Sequence, residues 1–202
     1  MKRQIFSAVL AAVAVFALAG AARVANDEYV IASVGVKFTA PKGWHLNASN
    51  FSKENLEALR PSNAGLNELL KKRTPVAKLI FTKYPVDYPS LNPTLQAHER
   101  EVSFSAMQVL DEALKQMSAL DSFKVIEAPR ALVLEGRDVA TCRVTFKLTK
   151  GDETYEVEAR SLVISHQDHV VSLGFSGLTQ GKDRSEAEYQ AFLKSLTAIN
   201  AK

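Results

Sequence analysis

The hydrophobic positions of this chain change period along its length. Val34, Val36 and Phe38 alternate with Gly35, Lys37 and Thr39, the two-residue period of a half-buried strand. Pro41-Lys42-Gly43 predicts a turn, and Trp44 follows it. Two short helices are predicted next. One runs over "KENLEALR", with Ser52 as N-cap and Pro61 as its end; the other runs over "GLNELLKKR". The β-branched and aromatic run "VAKLIFTKY" reads as a strand. "PVDYPSLNP" is too rich in proline for regular structure and reads as a loop.

From Ser105 to Leu120 the period becomes helical. Met107, Leu110, Leu114 and Met117 form one stripe, with Ala106 and Ala113 beside it. A stripe of this kind packs a core. The C-terminal half returns to strands. "FKVIEAP" and "RALVLEG" join around Pro129, and "DVATCRVTFKLT" meets "TYEVEARSLVIS" across "KGDE" in a hairpin. That strand meets "HVVSLGFS" across Gln167-Asp168. "SEAEYQAFLKSLTAI" closes the chain as a helix with Tyr189, Phe192, Leu193 and Leu196 on its apolar side. Its N-cap is Ser185, with Glu188 at capping-box spacing.

Two strands are apolar on both faces. Leu162 to Ile164 is a continuous apolar run, and Val170 lies opposite in sense to Val171, Leu173 and Phe175. Such a sheet must be covered on both sides. The expected fold class is therefore α+β: an antiparallel β-sheet flanked by helices on both faces, an α/β/α sandwich. The Ser105 helix and the C-terminal helix are the expected covers.

The N-terminus adds a compartment. Lys2-Arg3, the apolar run Ile5 to Leu18 and the small residues Ala19-Gly20-Ala21 form a secretory signal over residues 1–21. The run is shorter than the roughly 18–20 residues of a spanning helix. Ala21 stands where a lipoprotein would carry a lipidated Cys, so neither a lipid nor a stable membrane anchor is expected after cleavage. Residues 22–202 are read as one domain that is secreted, and periplasmic if the source is Gram-negative. Cleavage removes two of the 25 basic residues, leaving 23 against 22 acidic ones, so the net charge falls from +3 to +1. No basic tract remains, and nucleic acid is not an expected partner. The one cysteine, Cys142, cannot form an internal disulfide. Alternation places it with Ala140, Val144 and Phe146 as a small core residue.

The most specific stretches are "FTAPKGWHL", Phe38 to Leu46, and the closing "ARSLVISHQDHVVSLGFSG…YQAFLKSLTAI". With the long helix before paired hairpins, they resemble the superfamily of the photosystem II extrinsic protein PsbP and the bacterial DcrB-like periplasmic proteins. The resemblance covers nearly the whole mature chain as a pattern. It implies a non-enzymatic fold used as an accessory or binding module, with no shared catalytic residues. A plastid setting does not follow, because the leader is a short secretory signal.

Candidate chemistry is sparse. His166 and His169 face each other if Gln167-Asp168 is a two-residue turn, and two imidazoles with a carboxylate are sound metal ligands. A third firm ligand is missing, and exposed histidines in a polar turn are the commoner case, so no metal or cofactor is expected. "GLTQGKD" has the wrong glycine spacing for a phosphate loop, and "GFSG" lacks the last glycine of a nucleophile elbow. Asn47 and Asn50 sit in acceptor patterns that matter only in a glycosylating host. Tyr84 and Tyr88 ride on the proline-stiffened segment Tyr84 to Pro93, and with Trp44 they are the expected recognition residues. The alternative for that loop is a clasp that merely packs down. The expected function is a non-enzymatic accessory or binding protein with a protein partner in the cell envelope. Two alternatives stand beside it: a small-molecule carrier with an apolar pocket between the sheet and the Ser105 helix, and a hydrolase with a site assembled from distant residues.

Overall fold

The structure, a computed structural model, describes residues 22–24, 28–46, 59–60, 79–85, 87–150 and 152–199. The signal over 1–21, Asn47, Asn50 and most of the two helices expected before Arg73 lie outside the described residues. The elements are β1 (Ala22–Val24), β2 (Glu28–Ile31), a 3-10 turn (Ala32–Val34), β3 (Val36–Thr39), β4 (His45–Leu46), β5 (Leu59–Arg60) and β6 (Leu79–Thr82). Then follow β7 (Thr94–Glu101), α1 (Ala106–Met117), β8 (Lys124–Leu134), β9 (Arg137–Lys150), β10 (Glu153–His166), β11 (His169–Leu178), α2 (Glu186–Ser195) and β12 (Thr197–Ala198).

The two hairpins of the C-terminal half build the large sheet. β9 pairs with β10 and β10 with β11, both antiparallel, across the turns read from the sequence. β7 then adds to β11, β6 to β7 and β4 to β6, giving the order β4-β6-β7-β11-β10-β9-β5, with β8 also on β9. β8 is one strand where two were expected. It runs through Pro129 with register shifts between Val125 and Glu127 and between Glu127 and Arg130. An edge strand tolerates proline at such an irregularity because its outward N–H groups need no ladder partner. Leu59 and Arg60 end the expected "KENLEALR" helix, yet they form β5 against Lys150 and Thr149. Pro61 explains this, since a residue before proline is pushed from helical into extended backbone.

The central strands β9, β10 and β11 are buried on both faces over most of their length, as their double-sided apolar pattern requires. On one face α1 packs over β8, β9 and β10. Ala106, Val109, Leu110, Ala113 and Met117 meet Ala140, Cys142, Val144, Phe146, Val157, Ala159 and Val163. Ser105 caps α1 in a full capping box: Gln108 N–H donates to Ser105 Oγ at 3.1 Å, and Ser105 N–H donates to Gln108 Oε1 at 2.9 Å. Ala106 N–H also donates to Asp138 Oδ2 at 2.8 Å, which pins the helix start to β9.

The other face corrects the expectation of a simple helical cover. α2 contributes Tyr189 and Phe192, but a second, four-stranded sheet of order β1-β2-β3-β12 supplies Tyr29, Ile31, Val36 and Phe38 to the same cluster. Ten residues of helix span only about 15 Å, too little to cover this sheet alone. Thr197–Ala198, read as helix, leaves α2 and pairs with β3. Val34, read as strand, sits in the 3-10 turn that ends at Gly35 with φ +57°. That glycine is needed twice over, because a Cβ there would lie 2.3 Å from Arg137 Nη2. The capping box expected at Ser185 does not form. Glu188 instead pairs with Lys83 Nζ at 2.7 Å, which draws it away from the helix start.

Candidate recognition loop

β6 ends at Thr82, and the chain must return to start β7 at Thr94 directly opposite it. The intervening loop is held by its own polar groups. Lys83 N–H donates to Pro93 O at 3.0 Å and closes its base. Asn92 bridges the interior: its Oδ1 accepts from Tyr84 N–H at 3.1 Å, while its Nδ2 donates to Tyr84 O at 2.8 Å and to Pro85 O at 3.0 Å. Tyr88 N–H donates to Pro85 O at 3.1 Å and tightens the bend.

These bonds bring the two tyrosines together. Their rings stack with centroids 4.2 Å apart and planes 22° from parallel, and both are half-buried. Tyr88 Oη lies 3.0 Å from each carboxylate oxygen of Asp183, a residue only 6% exposed. Partial burial, with Asp183 accepting a hydrogen bond and adding its charge, pushes the Tyr84 hydroxyl up to about 12. Tyr84 is therefore a neutral donor throughout the physiological range. Lys182 Nζ stands 5.7 Å from the centre of the Tyr88 ring, within cation–π reach. Lys83 Nζ fastens the loop to the start of α2 through Lys182 O at 3.3 Å, Arg184 O at 3.2 Å and Glu188. The result is a small aromatic platform on fixed supports.

Trp44 lies beside it. β4 pairs His45 with Thr82, so the residue before His45 borders the start of the loop. Its ring packs on Phe175 at 5.0 Å and is half-buried. Asn92 and Asp183 were missed in the sequence. Asn92 had a signal, an asparagine beside a proline in a turn-rich segment. Asp183 had none, standing 95 residues from Tyr88.

The other candidates separate from this loop. His166 and His169 are register partners across the Gln167-Asp168 turn. His169 Nδ1 is 3.6 Å from Glu99 Oε1 and its Nε2 is 3.5 Å from Asp168 Oδ1. Among the described residues, no group of three or more His, Cys, Asp and Glu side chains is placed to hold a metal ion. Cys142 is 4% exposed, and burial pushes its thiol up to about 11. No helix among the described residues is long and apolar enough to cross a membrane.

No family model matches this chain, and no curated protein matches it. Solved structures do. The crystal structure of LpqN, involved in cell envelope biogenesis of Mycobacterium tuberculosis, is similar with a TM-score of 0.51 at 16% identity, over 82% of this chain and 83% of that one. The chain has this fold. The solution structure of cyanobacterial PsbP from Synechocystis is also similar, with a TM-score of 0.49 at 14% identity, over 90% of this chain and 98% of that one.

Proposed function

We propose that this chain is an exported, non-catalytic accessory module that presents Tyr84, Tyr88 and Trp44 to a protein partner in the cell envelope. The observation that carries the reading is the pair of stacked, half-exposed tyrosines on a loop already fixed by Asn92, Asp183 and Lys83. A surface ordered before binding loses little entropy on binding, and half-exposed aromatics are the residue type that recognition surfaces favour. The LpqN likeness supports an envelope setting, and the leader over 1–21 supports export. A mature N-terminus near Ala22, read by mass spectrometry of the exported protein, checks that step.

The test of the surface must respect Asp183. Removing Tyr88 strips a donor from a buried carboxylate, so a double Tyr84/Tyr88 truncation would weaken the fold as well as the surface. Tyr84→Ala alone also takes one hydrogen bond from Asp183, but it leaves the Tyr88–Asp183 contact in place, so the carboxylate keeps a donor. It is expected to keep the melting temperature within a few degrees while abolishing capture of an envelope protein that the wild type retains. Val133→Ala, at a fully exposed position on β8, should capture as the wild type does. Equal capture by Tyr84→Ala would remove the loop from the function. A large fall in its melting temperature would make the loop a structural clasp.

A further inference from the structure

The row of side chains that β7 turns toward the α1 side ends in a cation. Leu95 and Ala97 face the α2 cluster, so Gln96, His98 and Arg100 face the other way by strand alternation. Arg100 sits at the wall of a cleft of about 220 Å³ along the flank of α1, lined by the apolar Val102, Phe104 and Val109 and also by Asp111, Glu112 and a second cation, Lys115. The walls are fixed. Phe104 O accepts from Ser165 Oγ at 2.7 Å, and the start of α1 is tied to Asp138.

Among the described residues, no carboxylate forms an ion pair with Arg100. Its Nη2 is buried and meets no acceptor. Burial lowers its guanidinium to about 10. Its neighbours Glu99 and Glu101 alternate to the opposite face, where His169 stands beside Glu99. Glu112 is held by Lys115 Nζ at 2.7 Å, and Asp111 is exposed at the mouth. Arg100 is half-buried, and a donor buried without an acceptor is costly; an anion entering the cleft would gain a charge-assisted hydrogen bond from the guanidinium after a small shift of the side chain.

We propose that this cleft binds a small carboxylate with an apolar body, its carboxylate on Arg100 and its body against Val102, Phe104 and Val109. The chemistry narrows the class. A metal cation is repelled by Arg100. A polyanion such as phosphate is disfavoured by Asp111 and leaves the apolar wall uncovered. The volume falls below the roughly 300–1,000 Å³ of drug-sized sites, so the occupant is small. The cleft shares no residue with the Tyr84–Tyr88 surface, and the two proposals stand or fall separately.

The probes are octanoate, octan-1-ol and inorganic phosphate, each below the concentration at which it aggregates. The readouts are melting temperature and titration calorimetry. A ligand of the native state raises the melting temperature by mass action. Octanoate is expected to raise it and to give a saturable heat, while octanol and phosphate do neither. Arg100→Gln should lose the octanoate response. Asp111→Asn, at an exposed position that leaves the fold alone, should tighten octanoate about two- to threefold at low salt by removing a like charge from the mouth. The proposal is overturned by no octanoate response in the wild type. It is equally overturned by an equal response to octanol or phosphate, or by an octanoate response that persists in Arg100→Gln. Should Arg100→Gln fail to fold, the wild-type probe series and Asp111→Asn decide: unchanged affinity in Asp111→Asn removes the charge from the site and overturns the proposal.

Discussion

The sheet face beneath α1 has two halves of opposite character. On β9 and β10, under the helix, it is apolar: Ala140, Cys142, Val144, Phe146, Val157, Ala159 and Val163. On β7 and β11 the same face carries Thr94, Gln96, His98, Ser172 and Ser176, all buried. The reverse side of those two strands is apolar again, with Leu95, Ala97, Val171, Leu173 and Phe175. So the polar row is a local feature of one half of one face. Area alone favours apolar lining there, at about 25 cal/mol per Å². The row recovers part of that loss through internal bonds: Thr94 and Ser176 hydroxyls lie 2.7 Å apart, and His98 Nε2 lies 3.3 Å from Gln96 Oε1. It ends at Arg100, whose buried nitrogen has no such bond. The apolar half serves stability, and the polar half is where the chain has chemistry to offer.

The apolar half should be the more fragile by a wide margin. Phe146 is 1% exposed and buried beneath α1. Phe146→Ala is expected to cost about 3–5 kcal/mol, the loss of transfer free energy plus a cavity that the close-packed helix cannot fill. Urea unfolding checks it through a lower midpoint at unchanged slope. A cost under about 1 kcal/mol would mean that α1 collapses into the gap, and the contrast between the halves would fail.

Much of this architecture is legible in the chain, for a physical reason. The β9–β10–β11 meander rests on local turns and a period of two, and both are written within a few residues of where they act. The assignment of Val170 to one face and Val171, Leu173 and Phe175 to the other follows directly from that alternation. Three kinds of feature are not legible. The second sheet pairs β12 with β3 across most of the chain, and no local pattern announces it. The clamp at Asp183 and the missing capping box at Ser185 depend on the loop after β6, whose Tyr88 reaches Asp183 and whose Lys83 reaches Glu188. The polar row on β7 was hidden differently. "TLQAHERE" alternates as a one-sided strand should, yet its polar side is also buried. Periodicity separates the faces of a strand but does not say what lies over each. Arg100 was missed for that reason.

A smaller effect is expected at Cys142, inside the apolar half. Ser161 stands opposite it on β10 and hydrogen-bonds its thiol, so a serine introduced there finds a partner. Cys142→Ser should cost about 1 kcal/mol, toward the low end for burying a hydroxyl. The gap should also depend on pH. The buried thiol is raised from 9.0 to about 11, so the unfolded chain ionises first. Wild-type stability therefore falls between those two values while the serine variant lacks this loss. The wild-type advantage of about 1 kcal/mol should close and reverse across that window, since two pKa units correspond to about 2–3 kcal/mol. A native thiol that reacts at once with a thiol reagent near pH 8 would contradict the burial.

The smallest effect belongs to the polar half and is the sharpest test of the comparison. Ser172 lies on β11 opposite His98, and its Oγ is buried without a hydrogen-bond partner. A hydroxyl in that state contributes no bond and carries the cost of its lost hydration. Ser172→Ala removes the oxygen and leaves the backbone pairing of β11 with β7 and β10 untouched. Replacing an unsatisfied buried polar atom by carbon is nearly neutral or stabilising. The expected change is therefore between zero and a gain of about 1 kcal/mol, measured by urea unfolding beside Phe146→Ala. A loss comparable to that of Phe146→Ala would mean that Ser172 is bonded, through water, into a satisfied network. The polar row would then be structural throughout, and Arg100 would stand at the end of a closed network instead of an open site.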